Sequence, residues 1–329
     1  AAVAGVATFT TAQFDAVSTY TLYADSGIFS QITSGNIVVT LAPVSIFANP
    51  ITGSSPGNTS PYTAGQTFDS NITVSGVVRG SGISGATGND RYTNTNWTLS
   101  TSIDTNDYIE LSLTPNLGYS INFEDFNFTN QRSGSGPSNF AVRSSLDSFT
   151  TDLGVYSNIA TNISSNETLS LSGVTFNDIS STITFRIYGY NATNAGGTGS
   201  INDFIFSGNV LCLQPTAYTV TGGGTICTGS EGTLVGLSNS QVGLNYQLKI
   251  NGSNAGTPIA GTGSAISFGN QNTVGTYTVE ATNSVCSITV TMNGSVAIST
   301  GTTTTWSGSP TASWDNGAPT SAMIAIISA

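Results

Sequence analysis

Short runs in which apolar and polar residues alternate recur along the chain, and they constrain its fold more than any other feature. Before residue 211 these runs carry β-branched or aromatic residues between Gly, Asn, Pro or Ser; they cover 19–24, 36–41, 71–79, 107–113, 168–176, 182–190 and 203–210. A period of two residues directs alternate side chains to opposite faces of a strand. No run keeps the 3.6-residue period of a helix beyond two turns. The sequence therefore predicts an all-β fold.

Composition excludes several classes of function. Of the 329 residues, 38% are hydrophobic and 7% are charged, so the chain has the apolar side chains for a core that disordered chains lack. The formal charge is −11 and the six basic residues are scattered singly, whereas a nucleic-acid surface needs clustered cations. No apolar run reaches 18 residues. We therefore expect no nucleic acid partner and no membrane insertion, while a glycan or another surface protein is compatible with this charge.

The spacing of the runs changes around Cys212 and Pro215. Shorter runs follow at the spacing of an immunoglobulin-like module, and they cover 217–221, 232–237, 244–250, 265–268, 275–281 and 286–292. We predict an N-terminal segment at 1–12, a jelly-roll-like β-sandwich at 13–212, an immunoglobulin-like β-sandwich at 213–299, and the start of a further β region at 300–329.

The last apolar run, 323–328, has no closing turn after it. A strand needs hydrogen-bonded partners, so we expect the native protein to continue beyond Ala329. An unpaired strand here would add to the sheet edge of a neighbouring molecule, and the sequence thus predicts a homopolymer or filament assembled by strand addition.

The side chains that move protons at neutral pH are scarce. The chain has no histidine, and its one lysine, Lys249, lies in an alternating run that predicts a solvent-facing position. We therefore predict that the chain is not an enzyme and needs no catalytic cofactor.

Several acidic residues have the setting of a calcium site in a β-sandwich loop. Calcium binds six to eight oxygen atoms from carboxylates, carbonyls and amides. The candidate ligands lie in the DTNDYIE run and in turn-rich sequence: Asp90, Asp104, Asp107, Glu110 and Asp203. The sequence leaves two interpretations open, a structural calcium ion or ordinary loop acids.

Three cysteines lie in the last part of the chain. Cys227 and Cys286 bracket the predicted immunoglobulin-like module, and a disulfide between them would fit an extracellular location. Cys212 would then be a buried thiol or pair with a cysteine outside this chain. A Cys212–Cys227 bridge is the alternative.

Carbohydrate binding by a sandwich domain uses an aromatic face against the sugar ring, with amide or charged groups on the hydroxyls. The candidate residues are Trp97, Tyr92, Tyr188, Tyr190, Arg132 and Asn139. The alternative for each aromatic residue is a place in the core.

Residues 136–149 read GPSNFAVRSSLDSF, and a FRIYG strand follows at 185–189. This pattern resembles a β-sandwich domain of large secreted proteins of the Bacteroidetes. The resemblance covers roughly residues 10–210 and is most specific in the second half. Residues 218–298 are similar to an immunoglobulin-like repeat of the same proteins, in which Cys227, Tyr246, Tyr277 and Cys286 recur. Residues 306–319 resemble the W-x-G and W-x-N-G-x-P lead-in to repetitive parallel β regions of that class.

The resemblance implies export by a type IX secretion system and display on the bacterial cell surface. We expect a non-catalytic, adhesin-type surface protein, in which this chain supplies display and stalk modules of a longer polypeptide or filament. Two alternatives stay open. One is a carbohydrate-binding module, and the other is an accessory region of a secreted hydrolase whose catalytic domain lies outside this chain.

Overall fold

The computed structural model describes residues 42–227 and 230–301, and only the backbone of six short strands outside those ranges. It is 50% strand and 3% helix, and the prediction of an all-β fold is confirmed. Among the described residues, no helix is long and apolar enough to cross a membrane. Four of the short strands form two antiparallel pairs, β1 with β4 and β2 with β3; their bounds are β1 Ser18–Tyr20, β2 Tyr23–Ala24, β3 Ile32–Thr33 and β4 Ile37–Val39.

Thirteen strands build a first sandwich between Val44 and Cys212. They are β5 Val44–Asn49, β6 Thr67–Phe68, β7 Ile72–Val74, β8 Val78–Arg79, β9 Ser84–Gly85, β10 Tyr92–Thr95, β11 Tyr108–Pro115, β12 Tyr119–Arg132, β13 Asn139–Ser144, β14 Gly154–Tyr156, β15 Ser165–Ser170, β16 Ile183–Tyr190 and β17 Gly199–Cys212. Short 3₁₀ turns occur at Pro56–Asn58, Ser145–Asp147 and Val174–Phe176.

The strands of the first sandwich divide between two antiparallel sheets. One sheet has the order β15-β12-β17-β10-β9, and β5 also pairs with β17 and with β6. The other has the order β14-β13-β16-β11-β7, and β8 also pairs with β11. The alternation seen in the sequence explains the layers, because Ile109, Leu111 and Leu113 of β11 are buried while the residues between them are half-buried. The long strands thus present one apolar face to the space between the sheets.

Phenylalanine rings fill that space. Phe126 of β12 and Phe206 of β17 are fully buried and stack with ring centroids 4.2 Å apart. Phe123 and Phe185 pack against this pair, with ring centroids 5.8 Å and 4.9 Å from that of Phe206. Rings of this size bury a large apolar area each, so they dominate the stability of the sandwich.

Ten strands build a second sandwich with a separate hydrophobic core. They are β18 Val220–Gly222, β19 Gly224–Ile226, β20 Thr233–Leu237, β21 Asn245–Ile250, β22 Ser253–Asn254, β23 Ile259–Ala260, β24 Ile266–Gln271, β25 Gly275–Asn283, β26 Ile288–Thr291 and β27 Val296–Thr300. One sheet has the order β18-β20-β24, and the other β19-β27-β25-β21-β22, with β23 on β21 and β26 on β25.

The last two strands are β28 Thr302–Trp306 and β29 Met323–Ile327. They pair in parallel, with Thr302 opposite Met323 and Trp306 opposite Ile327. The run at 323–328 was expected to be unpaired, and that expectation is wrong for 323–327, because a partner lies within the same chain. Assembly by strand addition stays a prediction.

Candidate functional site

Three of the aromatic residues predicted to bind sugar are buried in the first sandwich: Tyr92 and Trp97 lie in its core, and Tyr188 lies on the outer face of the β16 sheet beside Tyr108 and Arg143. Tyr92, Trp97 and Tyr188 are 0%, 1% and 1% exposed. The indole nitrogen of Trp97 donates to the Asn94 carbonyl at 2.9 Å, and its ring meets Phe140 edge-on at 6.1 Å. A ring with no accessible face cannot stack on a ligand, so the binding role predicted for these three residues is wrong.

Arg132 and Asn139 support loops around the sandwich. The Arg132 guanidinium donates to the carbonyls of Ile159 at 2.6 Å and Gly136 at 3.3 Å. The side-chain oxygen of Asn139 accepts the backbone N–H of Asn158 at 3.3 Å. These hydrogen bonds hold the loops in place. Of the two residues, only Asn139 lies beside an accessible aromatic residue, because it is opposite Tyr190 where β13 pairs with β16.

Tyr190 is the predicted aromatic residue that stays half-buried. It lines a surface pocket of about 370 Å³ with Arg143, Asp152 and a loop at 101–105, and we call this the Tyr190 pocket. Arg143 Nε and Asp152 Oδ1 are 2.6 Å apart. Burial raises the pKa of Tyr190, the Asp152 carboxylate adds to the rise, and Arg143 opposes it. The pocket therefore combines a neutral phenol with an internally balanced ion pair.

The RSSLDSF segment, residues 143–149, folds over the outer face of the β16 sheet. Asp147 accepts the backbone N–H groups of Thr150 and Thr151 at 3.2 and 2.9 Å, and hydrogen bonds from Thr151 and Thr150 lower its pKa to about 2. Ser145 Oγ accepts the Thr184 N–H at 3.0 Å. The segment thus closes on itself and binds the adjacent strand, which is a structural role.

Arg186 is held between two rings beneath the same segment. Its guanidinium carbon lies 3.9 Å from the ring centroids of both Tyr108 and Phe149, and Nε donates to Glu110 at 2.8 Å. A desolvated guanidinium over aromatic faces gains both cation–π and charge-assisted hydrogen bonding. Glu110, one of the five predicted calcium ligands, is therefore paired with Arg186.

Of the other four predicted calcium ligands, Asp104 and Asp107 share one turn, in which the Asp107 N–H donates to the Asp104 carbonyl at 3.1 Å, while Asp90 and Asp203 bond to other segments. Asp90 accepts the Gly53 N–H at 2.8 Å, Asp104 accepts the Asn106 N–H at 2.9 Å, and Asp203 accepts the Thr129 hydroxyl at 3.2 Å. Asp107 is buried. In the part of the chain that the structure describes, no three Cys, Asp or Glu side chains come together to hold a metal ion. The structure does not assemble the predicted calcium site from these residues.

The buried carboxyl group of Asp107 leads to a prediction about how the stability of the protein depends on pH. It is 3% exposed, and burial raises its pKa to about 6, with a further rise from Asp104 and an opposing hydrogen bond from the Thr98 backbone. The folded state keeps the proton at a pH where the unfolded state has lost it, so this group's contribution to stability is complete below about pH 4 and falls as the pH rises through 6.

We therefore expect Asp107→Asn to stabilise the protein at pH 7.5 by about 3 kcal/mol and to have little effect at pH 4. Thermal unfolding at both pH values measures this difference. Glu124→Gln, at an exposed carboxylate, is the matched control and should show no such dependence. An Asp107→Asn effect that is equal at both pH values would contradict the assignment.

The cysteine pairing differs from the sequence prediction. Cys212 and Cys286 form the disulfide, with Cα atoms 6.1 Å apart, and Cys227 is a free, exposed thiol. Both the expected Cys227–Cys286 bridge and the alternative Cys212–Cys227 bridge are therefore wrong.

The pairing of the strands in the second sandwich explains why Cys227 cannot form a disulfide with Cys286. β19, which precedes Cys227, pairs with β27 so that Gly224 is opposite Ile298, and Ile298 is opposite Gly275 of β25. Cys286 follows the other end of β25. Eight residue steps of about 3.4 Å separate those ends by about 27 Å, far beyond the reach of a disulfide.

The disulfide joins the two sandwiches, and Asn283 forms a second connection beside it. Asn283 is fully buried, and its side-chain nitrogen donates to the carbonyls of Gly118 at 2.8 Å and Leu213 at 3.0 Å. Its side-chain oxygen accepts the N–H of Val285 at 3.1 Å. Both the nitrogen and the oxygen of the Asn283 side chain are therefore hydrogen-bonded, and this amide links a turn of the first sandwich to the second sandwich.

Gly118 is required at this contact. Its φ is +84°, and a Cβ atom there would lie 2.9 Å from the Asn283 side-chain oxygen and 3.0 Å from Val285. We call the Cys212–Cys286 bridge, Asn283 and the Gly118 turn the junction. Neither Asn283 nor Gly118 was predicted from the sequence. The signal that pointed to the junction was a cysteine placed at the boundary between the two sets of strands.

The fold and the junction define a two-sandwich, disulfide-linked all-β protein. No family model matches the chain, and no curated protein matches it. Among solved structures it is similar to the adhesin domain of Epf from Streptococcus pyogenes, at 11% identity and a TM-score of 0.23, covering 78% of this chain and 92% of that one.

Two further similar structures are hydrolases. The glycoside hydrolase domain of Spr0440, Endo-D from Streptococcus pneumoniae R6, matches at 12% identity and a TM-score of 0.21, covering 69% of this chain and 37% of that one. A beta-1,2-glucanase from Parabacteroides distasonis matches at 10% identity and a TM-score of 0.20, covering 70% and 36%. The chain spans little more than a third of either hydrolase, and at these TM-scores none of the three assigns a function.

Proposed function

We propose that the chain is a non-catalytic segment of an extracellular bacterial surface protein, and that it displays neighbouring parts of the polypeptide at a fixed distance and orientation. The junction is the observation that carries this proposal. Sequential β domains joined by a free linker reorient independently. Here a covalent bridge and a buried, doubly donating amide fix two sandwiches to each other.

The disulfide also supports the proposed location. Disulfides form and persist in oxidising compartments and are rare in a reducing cytosol. The low fraction of charged residues, with Ser, Thr, Asn and Gly in their place, suits a surface that contacts water and neutral polymers. The resemblance to secreted Bacteroidetes proteins points in the same direction, and the type IX export that it implies stays a prediction.

Small-angle scattering of the full chain tests the fixed orientation. We expect the oxidised protein and Cys227→Ser to give the same radius of gyration. The triple variant Cys212→Ser, Cys286→Ser, Asn283→Ala should give a larger one, because both connections are removed. Equal values for the oxidised protein and the triple variant, with both folded by circular dichroism, would refute the fixed spacer.

A second candidate function is carbohydrate binding, which the Tyr190 pocket favours because it sets an accessible ring beside charged groups. Binding of an oligosaccharide that Tyr190→Ala abolishes and that Phe68→Ala, at an exposed ring outside this pocket, preserves would support it. Incubation of the purified chain with the oligosaccharide should release no new reducing ends, because we propose a non-catalytic role. Cleavage by the purified chain would overturn the non-catalytic part of the proposal.

A further inference from the structure

A cleft of about 590 Å³ lies where the two sandwiches meet, on the surface beside the junction. One wall comes from the first sandwich and contains the β11–β12 turn at 116–119 and a loop at 180–182. The other comes from the second sandwich and contains Tyr218 and the loop at 239–242. Small-molecule sites in proteins typically occupy about 300–1,000 Å³ and often lie between domains. We propose that this junction cleft binds a neutral oligosaccharide.

The lining of the cleft selects against charged ligands. The residues on its walls have neither a carboxylate nor a cationic side chain; they are Thr114, Pro115, Asn116, Leu117, Gly118, Tyr119, Ser180, Ser181, Thr182, Tyr218, Asn239, Ser240, Gln241, Val242 and Gly263. A phosphate, sulfate or uronate entering the cleft would lose hydration without gaining a counter-charge. The overall charge of −11 disfavours anions further.

Apolar side chains are exposed on both walls. Leu117 is 69% exposed at the tip of the β11–β12 turn, and Val242 is 51% exposed on the opposite wall. The half-buried Tyr119 and Tyr218 contribute one aromatic ring from each sandwich. A sugar ring has apolar C–H faces and a polar rim of hydroxyls, so it matches walls that mix aliphatic or aromatic carbon with amides and hydroxyls.

Two side-chain amides on the walls are each held by a hydrogen bond through one polar atom, and the other polar atom is available to a ligand. Asn116 donates from its side-chain nitrogen to the Ser70 carbonyl at 3.1 Å. Asn239 accepts the Ser240 N–H at 2.8 Å through its side-chain oxygen. Within the described residues, the Asn116 oxygen and the Asn239 nitrogen have no protein partner. The cleft thus offers one oriented acceptor and one oriented donor, the pair that a sugar hydroxyl uses.

The junction holds the two walls in place. A Cβ atom on Gly243 would lie 3.0 Å from the Gly118 nitrogen, so the walls approach closely at the floor, next to the bonds made by Asn283. A site formed before the ligand arrives loses less entropy on binding. The spacer proposal depends only on the fixed orientation of the two sandwiches, so it does not depend on ligand binding in the cleft.

The test uses the full chain on an array of neutral oligosaccharides (β-glucan, xylan, mannan and N-acetylglucosamine oligomers) beside sialylated, sulfated and uronic acid-containing ones. We expect binding to neutral members, followed by calorimetry on the strongest. Leu117→Ser with Val242→Ser should weaken that affinity by about tenfold or more, since it removes apolar contact from both walls. Both residues are exposed, so the variant keeps its core.

Val174→Ser with Val274→Ser is the matched control, because it also replaces two exposed aliphatic residues, 91% and 50% exposed, outside the cleft. It should bind like the unmodified protein. Binding to no neutral oligosaccharide, or equal binding by the cleft variant, would overturn the proposal. Dimerisation that the cleft variant abolishes would also overturn it, since a second copy would then be the occupant.

Discussion

Replacing Cys212 and Cys286 together by serine is expected to lower the free energy of unfolding by about 4 kcal/mol. The bridge closes a loop across a sequence separation of 74 residues, and closing a loop of that length removes about that much chain entropy from the unfolded state. Unfolding in urea measures the loss as a lower transition midpoint.

Cys227→Ser is the control for this variant and should leave the midpoint unchanged, because Cys227 is an exposed, free thiol. Peptide mapping of the unreduced protein supplies an independent test. We expect one linked pair of peptides containing Cys212 and Cys286. Recovery of Cys286 linked to Cys227 would contradict the structure.

Replacing Trp97 by alanine is expected to lower the free energy of unfolding by about 3–5 kcal/mol, since the indole is buried and its removal leaves a cavity. The backbone of β16 packs directly on the ring, where a Cβ atom on Gly189 would lie 2.6 Å from it. The loss should appear in thermal unfolding as a lower transition temperature.

Leu99→Ala, two residues away and 56% exposed, should change stability very little. Trp97→Phe should retain much of the packing and fall between the two. A Trp97→Ala protein as stable as the parent would return Trp97 to the group of candidate ligand residues.

The alternating pattern of the sequence was enough to predict the layers of the fold. A period of two places Ile109, Leu111 and Leu113 on one face of β11 wherever that strand pairs, so the all-β class follows from local chemistry. The same pattern does not tell which polar-face residue another segment will cover. Tyr188 is buried and Tyr190 accessible on one strand, because the Tyr108 ring at 5.7 Å and the Arg143 guanidinium at 5.5 Å lie against the Tyr188 ring.

The junction could not be predicted for a related reason. Which cysteine pairs with which depends on the end of a sheet at which each lies, and that is set by the register of β19, β25 and β27. Asn283 has no distinguishing neighbours in the sequence. Its role arises because a turn over 160 residues earlier, at Gly118, brings a carbonyl oxygen to it.

The Cys212–Cys286 bridge has a mechanical consequence for a chain pulled from its two ends. Tension that reaches Cys212 crosses the sulfur atoms to Cys286, so β18 to β25 carry none of the load along their backbone. The 74 residues that the bridge spans would extend to about 260 Å in a reduced chain and contribute almost nothing in an oxidised one. Under shear, the part of the second sandwich from β18 to β25 is thus protected from being drawn out.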